Sequence, residues 1–432
     1  MVEMMTYQET TDYLFSQLPM FERQGATGYK SGLHNTIVLD SHFHHPHTHY
    51  TTIHIAGTNG KGSCSHTIAA LLQEGGHKVG LYTSPHLVDY RERIRVNGVP
   101  ISQRYVVDFV EKERRFFEPL HPTFFELTTA MALKYFRDEG VDIAVVEVGL
   151  GGRLDCTNII TPVLSIITNI SYDHTQFLGT TLAAIAGEKA GIIKKGVPVV
   201  IGESNGETRP VFEAKAREMG ADIVFAEDEP EVAGATATDG AMVYDTVHFG
   251  QIRGALTGNY QKKNTNTVLH AVTQLAKRGI GCCRQPMING AFQNVTSLTG
   301  LRGRWETLRR EPTVVCDTGH NKGAWEYLGP QLKDIECHTL RIVYGVVSDK
   351  DVDGIFSLLP PNAVYYMTQA DNRRAVAYQT LLEKASAKGL TATGYPSVKE
   401  AFKQAMADAS TDDFLFVGGS SYVVADLLKD CF

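Results

Sequence analysis

The stretch Gly57-Thr58-Asn59-Gly60-Lys61-Gly62-Ser63 constrains this chain most. Before it, Thr52-Ile53-His54-Ile55-Ala56 alternates like a strand. After it, Cys64, Ile68, Leu71 and Leu72 recur at helical spacing until Gly75-Gly76. A glycine-rich turn between strand and helix leaves backbone N–H groups free at the positive end of the helix. Such a turn cradles phosphate, with Lys61 as a point charge and a hydroxyl left for Mg2+. The usual P-loop spelling fails by one place, because Gly62 follows Lys61 and Ser63 comes next. A glycine turn with a stray lysine is the alternative, and the strand–turn–helix setting weighs against it.

The rest of the chain repeats that setting. Residues 7–21 read as an amphipathic helix with Leu14, Leu18 and Phe21 on one face. Residues 79–84 read as a strand, and residues 93–101 as a hairpin turning at Asn97-Gly98. Helices are expected over about 102–118 and 123–138. The apolar runs 142–148 and 163–170 have the continuity of strands buried on both faces. A helix near 181–190, a strand at 197–201, a small antiparallel patch over 229–257 and a helix near 264–279 complete this part. Around residues 297–303 the pattern resets through glycines and polar residues. Strands at 314–317, 341–344, 363–367 and 414–417 then alternate with helices at 322–333, 374–388, 397–409 and 420–429. The expected fold is α/β: an N-terminal ATPase-type domain over 1–297 with a doubly wound, mostly parallel sheet, and a smaller α/β domain over 298–432. Ligands belong beyond the carboxyl ends of such strands.

Composition narrows the function classes. With 432 residues, 43% hydrophobic and 21% charged, the chain has the makings of a soluble globular protein with ample core. Its 41 basic and 48 acidic residues leave a formal charge of −7, which offers no basic surface to nucleic acid. The first 24 residues lack a signal peptide's apolar segment and no run is long enough to span a bilayer, so a cytoplasmic protein without a membrane partner is expected. Seven cysteines without a CxxC pair read as reduced structural thiols, Cys282 and Cys283 among them. The tract from Asp40 to His49 holds five histidines. It reads as a solvated loop, with metal binding as the alternative.

Several residues then meet at one sheet edge. Glu147 ends a buried strand and needs a cation or a donor there. In P-loop enzymes that position holds Mg2+, and pairing with Arg153 is the alternative. Asp173-His174 follows the next strand, so His174 shares an edge with Ser63 and Glu147 and is favoured as a metal ligand over a surface histidine. Lys189 lies in an otherwise apolar helix, where a snorkelling surface lysine is the plain reading.

Taken in order, GTNGKGS, SPHL (84–87), ERIRVNG (92–98), FFELTT (124–129), EVGLGGRLDCTN (147–158), SYDH (171–174), EKAGIIK (188–194), NYQKKN (259–264), GRWE (303–306), DTGHN (317–321) and GVVSDKD (345–351) carry a resemblance that covers nearly the whole chain. The chain resembles the folylpolyglutamate synthase/dihydrofolate synthase family of the Mur ligase superfamily. The resemblance implies an ATP-dependent amide ligase with an N-terminal ATPase domain and a smaller, Rossmann-like C-terminal domain, acting as a cytoplasmic monomer. Its partners are ATP, L-glutamate and a folate or dihydropteroate. By the same resemblance, Gly57, Thr58, Asn59, Gly60, Lys61, Gly62 and Ser63, with Asn264, Arg304 and Asp317, bind ATP. Ser63, Glu147 and His174 hold Mg2+, together with a carbamylated Lys189. Lys61, His174, Lys189 and His320 serve catalysis. Ser84, Pro85, His86, Phe124, Phe125, Leu154, Asp155 and Cys156 surround the pterin substrate. Thr318, Gly319 and Lys322 depart from the family's spelling around His320, and Cys156 stands where alanine is common. A P-loop kinase and a nucleotide-operated switch are the rival classes, and neither accounts for DTGHN or the Lys189 motif.

Overall fold

The computed structural model describes residues 4–20, 32–238, 240–281 and 284–432; Phe21, Cys282 and Cys283 lie outside them. Eight strands form the first sheet: β1 (Thr51–Ala56), β2 (Val79–Tyr82), β3 (Ile94–Val96), β4 (Val99–Pro100), β5 (Ile143–Glu147), β6 (Leu164–Ile167), β7 (Val199–Ile201) and β8 (Ile223–Phe225). Their order is β4-β3-β2-β5-β1-β6-β7-β8, parallel except at β3 and β4. β1 lies between β5 and β6, with Ile53 in register with both Val145 and Leu164. Three loops therefore leave neighbouring strands at one edge: the glycine turn, the loop after Glu147 and the loop carrying Asp173 and His174.

Strand alternation decides the two cores. Ile53, Ile55 and Val145 face helices Lys61–Glu74 and Gln261–Lys277, meeting Ile68, Leu72, Val268 and Val272. Ala144 and Val146 face the other way, towards Phe124, Leu127 and Phe136 of helix Phe124–Asp138. The antiparallel patch is real: β9 (Val232–Thr238), β10 (Ala241–Thr246) and β11 (Gln251–Gly254) form a three-stranded sheet. After the segment 300–303, β12 (Glu306–Arg310), β13 (Thr313–Asp317), β14 (Leu340–Tyr344), β15 (Val364–Met367), β16 (Thr391–Gly394) and β17 (Phe414–Gly418) make a second α/β sheet. Its order is β12-β13-β17-β14-β15-β16, with only β12 antiparallel.

Some expectations need correction. The first helix is Tyr7–Gln17, ending before Pro19. The histidine tract is no open loop: helix His34–His42 runs into it and a 3-10 turn, Pro46–Thr48, follows. Asp40 folds the tract by accepting from His45 Nδ1 at 2.6 Å and His47 Nδ1 at 2.8 Å. A metal is not needed to explain it, and no group of three or more metal-ligating side chains occurs among the described residues. Helix Gln285–Thr299 was not foreseen, because Gly290 and β-branched residues dilute its pattern. Gly290 is where the helix meets Glu74, a contact a side chain would obstruct. Strands β12 and β16, largely solvent-facing, were also missed.

Candidate functional site

The glycine turn takes its shape from its neighbours. Gly57 has φ +148°, and a Cβ there would overlap Thr168 Oγ1. That hydroxyl donates to the Asn59 carbonyl and pins the loop from β6. Gly60, at φ +83°, precedes helix Lys61–Glu74 and lies against the Asn264 side chain. Gly62 lies beneath Arg304: a Cβ there would stand 3.0 Å from Nη2, at the tip of that side chain. Arg304 reaches the loop after β13 as well, donating to Thr318 Oγ1.

The loop has two flanks. On one side, Ser63 Oγ accepts from Gln261 Nε2 at 3.1 Å, and Gln261 Oε1 accepts from Asn264. Beside them Asp317 is buried and accepts from the Tyr260 hydroxyl, the Trp305 amide and the Gly319 amide. Burial raises its carboxyl above the usual range despite those donors. Asn264, Arg304 and Asp317, which sequence alone scatters over more than fifty residues, thus gather around Ser63.

The other flank opens into a large cleft lined by Gly57, Thr58 and Lys61 from the loop and by Lys189, His174, Asp173, His320 and Lys350. The cleft continues past Ser84, Pro85, Leu150, Leu154, Asp155 and Cys156 to Phe124, Phe125 and Met20. One end is therefore cationic and the other aromatic. Lys61 Nζ donates to the Gly57 and Thr58 carbonyls, each at 3.0 Å. Lys189 is no surface lysine: it is 4% exposed and donates to the same Gly57 carbonyl at 2.8 Å. Burial, then the charge of Lys61, pulls its ammonium down to about 7. Burial likewise takes His174 down to about 3, leaving a neutral imidazole.

Glu147 is 3% exposed, and its Oε2 has no hydrogen-bond partner. Burial pushes its carboxyl up to about 7, opposed by the charges of Lys61 and Arg304. Arg153, the rival partner, pairs with Glu188 at 2.8 Å instead. The buried, unmet oxygen of Glu147 and the neutral imidazole of His174 are each of a kind that takes a cation, whereas the Ser63 hydroxyl, on the other flank of the loop, is bonded to Gln261. Two expected residues behave differently. His86 does not line the cleft; its Nδ1 accepts from Arg93 Nε at 2.7 Å. Asp155 lines it, but its oxygens are taken by the amides of Gly149, Leu150 and Thr157 and by the Thr157 hydroxyl. Cys156 is a half-buried thiol raised well above its ordinary range by desolvation, hence un-ionised.

Sequence reasoning fixed on His174 and passed over its neighbour. Asp173 is the tie between the two halves: Lys350 Nζ lies 2.5 Å from Oδ1, while Asn321 Nδ2 and His320 Nε2 lie 3.1 and 3.3 Å from Oδ2. Burial opposes ionisation, but the His320 hydrogen bond and the Lys350 charge hold the carboxyl well below its usual range. Beside it, the Asn59 and Asn321 side-chain amides bond reciprocally at 3.0 and 2.9 Å, joining the glycine turn to the start of helix Lys322–Lys333. The motifs SYDH and GVVSDKD held that signal. Pairing them required knowing that the two sheet edges face each other.

A glycine turn backed by a buried lysine, with a second α/β sheet folded over it, is the arrangement of Mur ligases. Residues 55–272 match the Mur ligase middle domain and residues 303–421 the Mur ligase glutamate ligase domain. Within that superfamily the chain belongs to the folylpolyglutamate synthase/dihydrofolate synthase family. It is 32% identical to the dihydrofolate synthase/folylpolyglutamate synthase of Escherichia coli, over 87% of this chain and 85% of that one. It is 34% identical over 98% of its length to a probable bifunctional folylpolyglutamate synthase/dihydropteroate synthase of Haloferax volcanii, but spans only half of that relative. E. coli FolC in complex with DHPP and ADP superposes with a TM-score of 0.83 at 29% identity, covering 98% of this chain and 97% of the other. A bifunctional folylpolyglutamate synthase/dihydrofolate synthase with Mn, AMPPNP and L-glutamate bound gives 0.81 at 28% identity, covering 98% of each. No helix among the described residues is long and apolar enough to cross a membrane.

Proposed function

We propose that this protein is an ATP-dependent ligase that adds L-glutamate to folates and also to dihydropteroate, through an acyl phosphate. The observation that carries this reading is one continuous cleft with an aromatic end at Phe124 and Phe125 and a cationic end at Lys61 and Lys189. A flat pterin-aminobenzoate fits the first, and its carboxylate is drawn to the second. The chain divides, on this reading, after residue 297 into an ATPase and acceptor domain and a smaller ligase domain.

Two anions must meet, so charge is the main obstacle. The phosphates take the backbone amides of residues 57–63, and Lys61 exchanges the Gly57 and Thr58 carbonyls for phosphate oxygens. Asn264, Arg304 and Asp317 surround the rest of the nucleotide. Ser63, Glu147, His174 and Lys189, the last as a carbamate, would hold Mg2+, which supplies further neutralisation of the phosphates when bound. A carboxylate oxygen of the acceptor attacks the γ-phosphorus, the bond to the β–γ bridging oxygen breaks, and ADP departs. The glutamate amine then attacks the acyl carbon, loses a proton and expels phosphate. Water would destroy the acyl phosphate, and the ties at Asp173 keep the second sheet folded over it. His320 lines the cleft and is itself one of those contacts, 3.3 Å from Asp173, which supports a role for it near the reacting groups. Only a neutral amine adds CO2, and Lys189 is held near neutrality, which supports its carbamylation.

The deciding assay supplies purified protein with dihydropteroate, Mg-ATP and glutamate. Dihydrofolate and stoichiometric ADP are expected. Glutamylation of tetrahydrofolate without any dihydrofolate would reject the dual activity and leave a folate-only enzyme.

A further inference from the structure

β1 carries an oddity. Its even face should be apolar, yet His54, fully buried, stands in register with Val146 on one side and Ser165 on the other. A polar ring in the middle of a parallel sheet is costly unless its nitrogens are met. One is met: His54 Nε2 lies 2.8 Å from Thr157 Oγ1. The other, Nδ1, is buried with no partner.

The chain of bonds continues from Thr157 and has one direction. Asp155 Oδ1 accepts from both the Thr157 amide and the Thr157 hydroxyl. Because that hydroxyl's single proton goes to the carboxylate, its oxygen is an acceptor towards His54, and the histidine proton sits on Nε2. The second carboxylate oxygen, Oδ2, accepts from the Gly149 amide at 3.0 Å and the Leu150 amide at 2.9 Å. Gly149 and Leu150 wall the cleft, together with Leu154 and Cys156. Gly149 lies so close to the Phe125 ring that a Cβ would overlap it. A displacement of this turn therefore moves the aromatic end of the cleft. Burial, helped by the charge of Lys194, holds the His54 ring neutral with a value of about 3, so the donor state is the same at every working pH.

We propose that His54 is a positioning residue for the acceptor: through Thr157 and Asp155 it fixes the turn at Gly149 and Leu150 against which the pterin-aminobenzoate lies. The proposal rests on the acceptor reading above. It assigns His54 no contact with substrate and no part in handling the phosphates, although the glycine turn begins three residues later.

Thr157→Val keeps the shape and removes both hydroxyl bonds; Thr157→Ser restores them. The valine variant should raise the KM for the pterin acceptor about tenfold and leave kcat and the KM for Mg-ATP within about twofold, whereas the serine variant should match the parent. A purely structural role would shift both KM values together or neither, and either result overturns the proposal. If Thr157→Val fails to fold, His54→Gln and His54→Leu replace it, the first retaining an N–H donor and a near-parental acceptor KM, the second not. Independently, 15N-histidine spectra of the parent protein, with the His54 signal assigned by its loss in His54→Gln, should show a neutral ring protonated at Nε2. A proton at Nδ1 would overturn the relay. Parent protein that ligates glutamate to no pterin acceptor would reject the proposed reaction itself, a result the spectra distinguish from failure of the relay.

Discussion

The two sheets present their carboxyl ends to each other but treat buried charge in opposite ways. Away from Asp317, charges in the second sheet are paired. Asp413 receives Arg341 Nε at 2.7 Å along with Ser410 and His338, and Arg374 pairs with Asp349. Although burial opposes it, the Arg341, Ser410 and His338 hydrogen bonds hold the Asp413 carboxyl at about 2. In the first sheet Glu147 keeps an oxygen without a donor, and Lys61 and Lys189 crowd one backbone carbonyl. Paired charges hold a fold together, whereas unmet ones mark where a charged ligand is awaited. The same contrast separates stability from function in this molecule.

The largest break of that contrast is Lys61→Ala. It should lower ATP turnover by about a thousandfold while circular dichroism and melting stay near the parent, since the lysine's partners are only loop carbonyls. Activity close to the parent would remove the phosphate cradle from the first sheet's edge. Next, Lys189→Ala should cost about a hundredfold and recover in part with added formate or acetate, because a small carboxylate can replace the carbamate in the vacated space. No recovery, with a plain ammonium at residue 189 in the nucleotide-bound state, would count against carbamylation. Asp173→Asn tests the tie between the sheets. It removes the charge that Lys350 meets and should reduce kcat about tenfold, with little change in the KM for ATP. An unchanged kcat would mean that the remaining amide contacts suffice to hold the two sheets together.

The smallest effect is on stability, and its sign differs between the sheets. Burial raises Glu147 to about 7 from 4.5. The unfolded chain releases that proton first, so the cost to the fold is absent below 4.5 and full above about 7. Glu147→Gln should therefore raise the melting temperature of nucleotide-free protein by about 2–4 °C at pH 8, fail to do so at pH 4.5, and abolish ligation. Asp413 runs the other way. Its folded value lies below its unfolded one, so its contribution is present above 3.8 and lost as pH falls towards 2. Asp413→Asn should lower the melting temperature at pH 7 and narrow the acid tolerance of the parent. A melting temperature lowered by Glu147→Gln at pH 8 would show that the carboxylate is already compensated.

Much of this was legible along the chain. The continuous apolar runs of β5 and β6 and the glycines at 57, 60 and 62 announce a parallel sheet with a phosphate loop, and the edge shared by Ser63, Glu147 and His174 follows from strand order alone. Helix Gln285–Thr299 was hidden because its stability comes from packing on helix Lys61–Glu74 rather than from its own pattern. The histidine tract is largely solvated, as its composition suggested, but Asp40 also uses His45 and His47 to close a turn that composition does not show. Asp155 was assigned to substrate from its place in the motif. It does line the cleft, and its oxygens hold the loop as well, which a linear reading does not reveal. The role of Asp173 depends on Lys350, 177 residues away, and only the facing of two sheets joins them.

Gly62 has a last consequence, and it concerns how such motifs are spelled. Writing serine at position 62 would give the turn the ordinary lysine–hydroxyl dipeptide, an apparent repair. In this molecule the new side chain would press on the guanidinium of Arg304, more than two hundred residues downstream and on the other side of the segment 300–303. The irregular letter thus stands where the two halves touch. Departures of this kind from a short pattern tell a reader what else the pattern touches.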